Sequence, residues 1–286
     1  MEKDGRAGLI PLGTMIRGNE KTFTALGRFL PLGIESVQIF FWDTLPEELD
    51  GSWMEAVARA CRTEGVVISS LALFANPLRD DFSRDRAAAD WEKLVGWASE
   101  FDVPVVSGFT GRIPGRPVTD SFGPVKEFFS PLLEKCLARD LQLAFENCPM
   151  EGDERAGDWN IAFAPEYWRI LFEELLPSPS AGLEFDPAHA VRLGQPVLSL
   201  AEEWAPRIFH VHGKDAAGPG APDFCFPGEG ATDWVDLLAV LVRHGYTGTV
   251  DLEGYHGTFE GHQKEVERQQ ASLGYLERCR RGLGGL

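Results

Sequence analysis

The chain has 286 residues, of which 44% are hydrophobic, and it carries a formal net charge of −17. That length allows a large buried core, and α/β barrels of about 250 residues commonly form one domain. The excess of acidic residues disfavours a surface for nucleic acid or for an anionic membrane, because neutralising phosphates requires Lys and Arg. No apolar run approaches the ~20 residues that a membrane helix needs.

The cysteines and the first residues bear on the cellular compartment. The five cysteines are scattered and odd in number, without the paired spacing of a disulfide framework or a zinc ribbon. The first residues lack the apolar segment of a signal peptide. We therefore expect reduced thiols and a cytoplasmic location.

Apolar runs of strand length alternate along the chain with segments of helical spacing. We predict eight strands, at residues 7–11, 36–40, 66–73, 103–106, 141–146, 183–186, 208–212 and 248–253. We predict eight helical segments, at residues 21–30, 52–64, 84–100, 125–139, 165–175, 198–204, 233–244 and 261–281. Gly65 fits the end of the second helix, and Pro165 fits the start of the fifth.

This alternation indicates the fold class. No linker, composition break or low-complexity block interrupts residues 1–286, so we predict one domain. Strands that alternate with helices indicate a parallel sheet, and eight of them favour closure into a single (β/α)8 TIM barrel. A doubly wound open sheet is the alternative, but no G-x-G-x-x-G sequence follows the first predicted strand.

Four side chains that can bind a metal ion stand at the ends of four successive predicted strands. They are Glu146, Asp186, His212 and Glu253, separated by 40, 26 and 41 residues. Each separation is about one strand–helix repeat, which takes roughly 30 residues or more. Because the strand ends of a parallel barrel meet at one rim, we predict that the four side chains form one metal site. A lone Glu or His at such a position is more often solvated or structural, so the prediction rests on the four together.

The donor set indicates the ion and its chemistry. Three carboxylates and one imidazole suit Mn²⁺, Mg²⁺ or Co²⁺ better than structural zinc, which prefers Cys and His. We predict Mn²⁺, with Mg²⁺, Co²⁺ and Zn²⁺ as alternatives. Such an ion can polarise a carbonyl while a carboxylate moves a proton at the next carbon, which is the chemistry of isomerases and epimerases. His210 faces the same side of its strand as His212, and we interpret it as packing beneath the site.

At these motifs the chain resembles the xylose isomerase-like TIM-barrel superfamily of sugar phosphate isomerases and epimerases, which includes the ketose 3-epimerases. The resemblance covers nearly the whole chain, and residues 70–78 are similar to the third-strand region of such proteins. Its most specific motifs are Phe145-Glu146-Asn147, Asp186-Pro187-Ala188-His189, His212-Gly213-Lys214-Asp215, Pro227-Gly228-Glu229-Gly230 with Asp233-Trp234, and residues 248–253.

The resemblance implies roles for particular residues. It implies four metal ligands, namely Glu146, Asp186, His212 and Glu253. It implies that Glu146 and Glu253 also transfer the proton, in a sugar isomerase or epimerase that works through a metal-stabilised enediolate. His189, of the D-x-x-H motif, would contact substrate oxygens. We expect Lys214 and Asn76 to contact the substrate as well.

The chain also departs from the pattern of its relatives. Many of them have His after Glu-Asn, where this chain has Cys148. A second polar group that faces the substrate is therefore missing. Arg112, Arg116 and Lys214 are candidates to bind a phosphate, although a rim Arg is more often solvated, and the motifs do not establish that the substrate is phosphorylated.

Other functions use the same fold. A metal-dependent dehydratase or lyase acting on a keto-sugar or keto-inositol would need the same metal and base. A nucleic-acid hydrolase like the endonuclease IV group needs three zinc ions and many His, whereas this chain has six His and a strong negative charge. A sugar-binding protein without catalysis has no need of two proton-carrying Glu residues. We expect a small-molecule carbohydrate as the partner, not nucleic acid or membrane, and leave a homo-oligomer open.

A long loop at residues 213–230 contains two large apolar side chains, Phe224 and Phe226. They have no obvious core partner in a segment rich in Gly and Pro. We expect them to cover a bound substrate, to bury against a second subunit, or to pack locally on the barrel rim.

Overall fold

The structure, a computed structural model, describes residues 10–79, 83–254 and 263–283. Within these residues, eight parallel strands close into a barrel in the spatial order 1-10-7-6-5-4-3-2, and two further strands form a hairpin. Along the chain the strands are β1 (Leu12–Arg17), β2 (Ser36–Trp42), β3 (Val67–Phe74), β4 (Val105–Gly108), β5 (Gln142–Glu146), β6 (Ala181–Phe185), β7 (Ile208–Gly213), the hairpin strands β8 (Asp215–Ala216) and β9 (Phe224–Cys225), and β10 (Val250–Leu252). The predicted (β/α)8 TIM barrel is confirmed.

Helices connect the barrel strands. In the described part of the chain they are α1 (Thr22–Phe29), α2 (Gly51–Thr63), α3 (Ser83–Glu100), α4 (Phe122–Ala138), α5 (Pro165–Arg169), α6 (Pro187–Arg192), α7 (Val197–Trp204), α8 (Trp234–Arg243) and α9 (Gln263–Arg281). A π-helical turn, Ile170–Leu175, continues α5. None of the helices formed by the described residues combines the length and apolar character that crossing a membrane requires.

The main hydrophobic core lies between the barrel and the surrounding helices. Side chains alternate along each strand, so that Ile39 and Phe41 of β2 point outward into this core. Trp91 of α3 and Trp234 of α8 are fully buried in it. Burying each large apolar side chain of this kind stabilises the fold by roughly 1.5–3 kcal/mol.

The first strand lies further along the chain than predicted. It covers Leu12–Arg17 rather than residues 7–11, of which residues 7–9 lie outside the described part of the chain. Pro11 has no N–H for a strand ladder, and its carbonyl oxygen accepts a hydrogen bond from the Val250 N–H at 2.9 Å. The last helix was predicted from residue 261, also outside the described residues, and α9 begins at Gln263.

Pro187 begins a helix as well as ending a strand. It is the first residue of α6, which the sequence analysis did not predict, and a proline is tolerated there because the first helical N–H has no partner in the helix. The Asp186 side chain caps α6, since its Oδ1 accepts a hydrogen bond from the Ala188 N–H at 2.8 Å. The cap fixes Asp186 at the end of β6 and leaves its second carboxylate oxygen for the barrel interior.

The barrel interior is layered along its axis. An apolar cluster of Val105, Ala144 and Phe209 lies near the end at which the strands begin. Buried polar side chains follow, among them Gln38 and Glu184, and above them lies the rim at which the strands end. Side chains in successive layers of such a barrel come from alternate positions on each strand. The candidate ligands, which stand at the strand ends, therefore lie at this rim.

Candidate metal centre

The four predicted ligands converge at the rim. One donor atom from each of Glu146, Asp186, His212 and Glu253 lies within 4.8 Å of all the others. His212 Nδ1 lies 3.3 Å from Glu146 Oε1, 3.2 Å from Glu253 Oε2 and 4.0 Å from Asp186 Oδ2. Strands β5, β6 and β7 and the end of β10 thus bring together residues that are far apart in sequence.

Unpaired buried atoms indicate that this group suits a cation. Asp186 Oδ2, His212 Nδ1 and Glu253 Oε2 are buried and make no hydrogen bond of good geometry. Buried polar atoms nearly always make a well-formed hydrogen bond, and three that make only ion contacts at the same place need an explanation. The three carboxylates carry more negative charge than the one ammonium group beside them, that of Lys214, and the imidazoles of His189 and His212 complete the cluster. Oxygen-rich donors with this charge fit a divalent metal ion.

Lys214 and His189, for which we predict contacts with the substrate, lie beside the four candidate ligands. Lys214 Nζ is 2.8 Å from Glu253 Oε1 and 3.2 Å from Asp186 Oδ2. Burial alone would lower the pKa of Lys214, but the Glu253 and Asp186 carboxylates hold it well above its usual value, so the ammonium stays charged. His189 Nε2 is 3.1 Å from Asp186 Oδ2 and 3.6 Å from Glu146 Oε1.

A buried amide below the rim orients the His212 ring. Gln38 donates hydrogen bonds through Nε2 to Glu184 Oε1 and, at 3.2 Å, to Ser107 Oγ. Its carbonyl oxygen is therefore left to accept from His212 Nε2, at 3.1 Å. This arrangement assigns the ring proton to Nε2 and leaves the Nδ1 lone pair for a metal ion.

A second ion-pair network supports the floor of the site. Asp251 accepts hydrogen bonds from Ser36, Ser69 and Thr249 hydroxyls, at 2.5, 2.5 and 2.9 Å, and contacts His210 Nε2 at 2.7 Å. The other ring nitrogen of His210 is 3.0 Å from Glu184. Burial would lower the pKa of His210, but these two carboxylates raise it above its usual value. His210 thus packs beneath His212, as predicted.

Gln38, Glu184 and Asp251 were not predicted to belong to the site, although the positions of the last two carry a signal. Glu184 stands two residues before Asp186, and Asp251 two residues before Glu253. Alternation in a strand puts each pair on the same side, so an ionisable residue at the second position before a ligand predicts a supporting group. Gln38 gives no such signal, because its strand carries no ligand.

A cavity of about 610 Å³ lies above the four ligands. Glu146, Glu253, His189 and Lys214 line one side of it. Five aromatic side chains line the other side, and we call them the aromatic wall: Phe40, Trp42, Phe74, Phe109 and Trp159. A larger cavity, of about 760 Å³, lies at the opposite end of the barrel, where the strands begin. We place the site in the first cavity, because Glu146 and Glu253 line it and because barrel enzymes act at the carboxyl ends of their strands.

The structure corrects two predictions about polar side chains. Asn76, predicted to contact the substrate, does not line the cavity. Its side-chain amide donates to the Arg112 and Asp158 carbonyl oxygens and accepts from the Leu78 and Arg112 N–H groups, so it holds loops together. Arg112, a candidate phosphate ligand, is fully buried and donates to the carbonyl oxygens of Asp153 and Arg116. Neither side chain is available to a substrate, because backbone groups take its hydrogen bonds.

The remaining candidates at the rim differ in position. Arg116 forms an exposed ion pair with Asp120 at 2.8 Å. Cys148 lines the cavity. Phe226 is buried in the main core under Arg268, which confirms local packing for this side chain. Phe224 instead lines the cavity, with Lys214 Nζ 4.1 Å from its ring centre.

The comparison with known families agrees with this geometry. The family model described as xylose isomerase-like TIM barrel matches residues 30–279. The chain belongs to this family. No curated protein matches its sequence.

Solved structures of the xylose isomerase-like fold superimpose over nearly the whole chain. A xylose isomerase domain protein from Planctomyces limnophilus has 15% identity and a TM-score of 0.76, covering 97% of this chain and 100% of its own. A D-psicose 3-epimerase, solved in the presence of D-fructose, has 14% identity and a TM-score of 0.70, covering 94% and 99%. The IOLI protein, solved with a bound zinc atom, has 17% identity and a TM-score of 0.70, covering 95% and 99%. These similarities establish a shared fold.

Proposed function

We propose that the protein is a divalent-metal-dependent isomerase or epimerase of a sugar or related hydroxy-carbonyl compound. The observation that carries the proposal is the convergence of Glu146, Asp186, His212 and Glu253 at the bottom of a cavity on the carboxyl side of the barrel. Membership of the family and the similarity to a ketose 3-epimerase support this choice over unrelated metal chemistry.

The four residues would hold the ion, for which we propose Mn²⁺, with Mg²⁺, Co²⁺ and Zn²⁺ as alternatives. A bound divalent ion would act as a Lewis acid on the substrate carbonyl and so make the neighbouring C–H more acidic. The zinc atom of the similar IOLI structure supports a metal at this fold without deciding its identity.

Glu146 and Glu253 are placed to move the proton. They flank His212, at 3.3 and 3.2 Å from its Nδ1, and come from strands separated by β6 and β7. Carboxylates on opposite sides of the ligand group can reach opposite faces of a substrate bound between them. Epimerisation needs that arrangement, because one group removes the proton and the other returns it to the opposite face.

Lys214 and His189 supply the other functions that the reaction needs. The Lys214 ammonium, 2.8 Å from Glu253 Oε1, holds that carboxylate in place beside the other ligands. His189 Nε2 lies between the Asp186 and Glu146 carboxylates and can donate to a substrate oxygen. Both residues are buried, so their contacts with the substrate would be made away from bulk water.

The test is a panel of free ketoses and keto-inositols incubated with the metal-loaded protein in D₂O and followed by NMR. We expect at least one compound to gain deuterium at the carbon next to its carbonyl and to yield an epimer or aldose. Products that have lost water would instead identify the alternative dehydratase. Full activity after exhaustive chelation would contradict the proposal.

A further inference from the structure

The aromatic wall is a separate hydrophobic cluster inside the barrel mouth. Phe40, Phe74 and Phe109 pack with Met15 and Cys148, apart from the main core between barrel and helices. The ring centres of Phe74 and Phe109 are 5.1 Å apart. Trp42 and Trp159 extend the wall outward, with ring centres 5.7 Å apart. The rings thus form one continuous apolar surface from the bottom of the cavity to its opening.

The strand order places this wall opposite the ligands. Its members on strands belong to β2 and β3, and Phe109 follows β4, whereas the candidate ligands lie in or directly after β5, β6, β7 and β10. The two halves meet at the bottom of the cavity, where the ring centre of Phe74 lies 6.3 Å from that of His212. A ligand bound at His212 therefore has aromatic carbon beside it, on the Phe74 side of the cavity.

The wall offers few partners to a polyol. Its side chains carry two hydrogen-bonding groups, the indole N–H groups of Trp42 and Trp159. Among the described lining residues, the basic side chains that could bind hydroxyl groups lie around Phe224 on the ligand side of the cavity, and they are His189, Arg192 and Lys214. Sugar hydroxyl groups buried against the wall would lose water without gaining equivalent hydrogen bonds. An aromatic ring would instead gain stacked and edge-to-face contacts there.

We infer that the substrate carries an aromatic ring next to the oxygens that bind the metal, as in an aryl-substituted hydroxy-ketone or keto-sugar. The inference rests on the proposed function, because it assumes that a metal ion anchors those oxygens. A second aromatic contact is present on the ligand side, where the ring of Phe224 lies 4.9 Å from that of His189. The ring of the substrate would then lie on the wall while its oxygens face the four ligands.

Three hydroxamates with the same chelating group test this inference. We would titrate the Mn²⁺-loaded protein with acetohydroxamate, benzohydroxamate and erythronohydroxamate by calorimetry, with the metal-free protein as control. We expect benzohydroxamate to bind at least about 30-fold more tightly than acetohydroxamate, since even one methylene in an apolar pocket is worth roughly 10- to 200-fold. We expect the polyol of erythronohydroxamate to give no such gain.

Variants of the wall locate the effect. In Trp159→Ala, the ratio of the benzohydroxamate affinity to the acetohydroxamate affinity should fall by about fivefold or more, in keeping with the energy of one aromatic contact. The acetohydroxamate affinity itself should stay unchanged. Trp42→Ala, at a side chain that is 41% exposed and so tolerant of substitution, should act in the same direction. Phe23→Ala is the matched control, because Phe23 is 44% exposed on α1 and outside the cavity.

The outcomes separate the inference from the proposed function. Metal-dependent binding of all three probes with erythronohydroxamate as the tightest would overturn the inference and leave the metal site standing. A benzohydroxamate preference that survives in both Trp variants would also overturn it. If none of the three probes bound more tightly with Mn²⁺ than without it, the chelating site itself would be contradicted, and the inference with it.

Discussion

Removal of the metal ion should lower the thermal stability of the protein by an amount that can be calculated. The four-ligand group buries three carboxylates against one ammonium, so a divalent ion that binds only the folded chain stabilises it by mass action. At a free Mn²⁺ concentration of 100 times Kd, the free energy of unfolding rises by ~2.7 kcal/mol. A chain of 286 residues unfolds with an entropy of ~0.6 kcal/mol/K, so Tm should rise by ~4–5 °C.

Differential scanning calorimetry of the chelated protein, with and without added Mn²⁺, measures this shift. His212→Ala removes the only nitrogen ligand of the group and should abolish the metal-induced rise. His244→Ala is the matched control, because His244 is an exposed histidine paired with Glu202 on α7, and it should keep the full rise. A rise of the same size in His212→Ala, or none in the parent protein, would refute the assignment of the ligands.

Two further predictions concern buried groups. Gln38→Leu removes the acceptor for His212 Nε2–H, so it should weaken Mn²⁺ binding about 10- to 100-fold in a calorimetric titration. The control is Ser70→Ala, in the same layer but hydrogen-bonded to Ser107, and it should leave the Mn²⁺ affinity unchanged. Burial raises the pKa of the Cys136 thiol to about 12, so only about 1 in 10⁴ molecules carries the thiolate at pH 8. Iodoacetamide should therefore label Cys136 only after the protein unfolds. Labelling of Cys136 in the native protein at the rate of a free thiol would contradict this prediction.

The convergence of the four candidate ligands could be predicted from the sequence because each follows an apolar strand at a repeat-length separation. In a closed parallel barrel, the position at the end of a strand largely fixes which side chains meet, whatever the details of packing. Glu146 and His212 are therefore predictable from pattern alone, and the structure brings them within 3.3 Å. Strand β1 was predicted too early in the chain. Gly13 and Thr14 weaken the apolar pattern of the actual strand, whereas Leu9 and Ile10 form an apolar pair just before it.

The aromatic wall and the buried amide could not be predicted in the same way. Phe74 and Trp159 come from a strand and a distant loop, and their contact with one cavity depends on strand register and loop path, which composition does not encode. The predicted contact of Asn76 with the substrate was wrong for a related reason. Its position matched a motif, but the hydrogen bonds of its amide are decided by loops that pack on it from elsewhere in the chain.

Solvent exchange in two glutamate variants tests the central proposal most directly. With the substrate that the ketose panel identifies, we would measure deuterium incorporation at the carbon next to the carbonyl, together with Mn²⁺ content, for Glu146→Gln, Glu253→Gln and the exposed control Glu166→Gln. We predict that the first two variants still bind some Mn²⁺ and slow exchange by about 10²-fold or more, in line with general acid–base catalysis. The control should exchange at the parent rate. If Glu146→Gln and Glu253→Gln both exchanged at the parent rate, neither residue would be the base, and the proposed mechanism would be wrong.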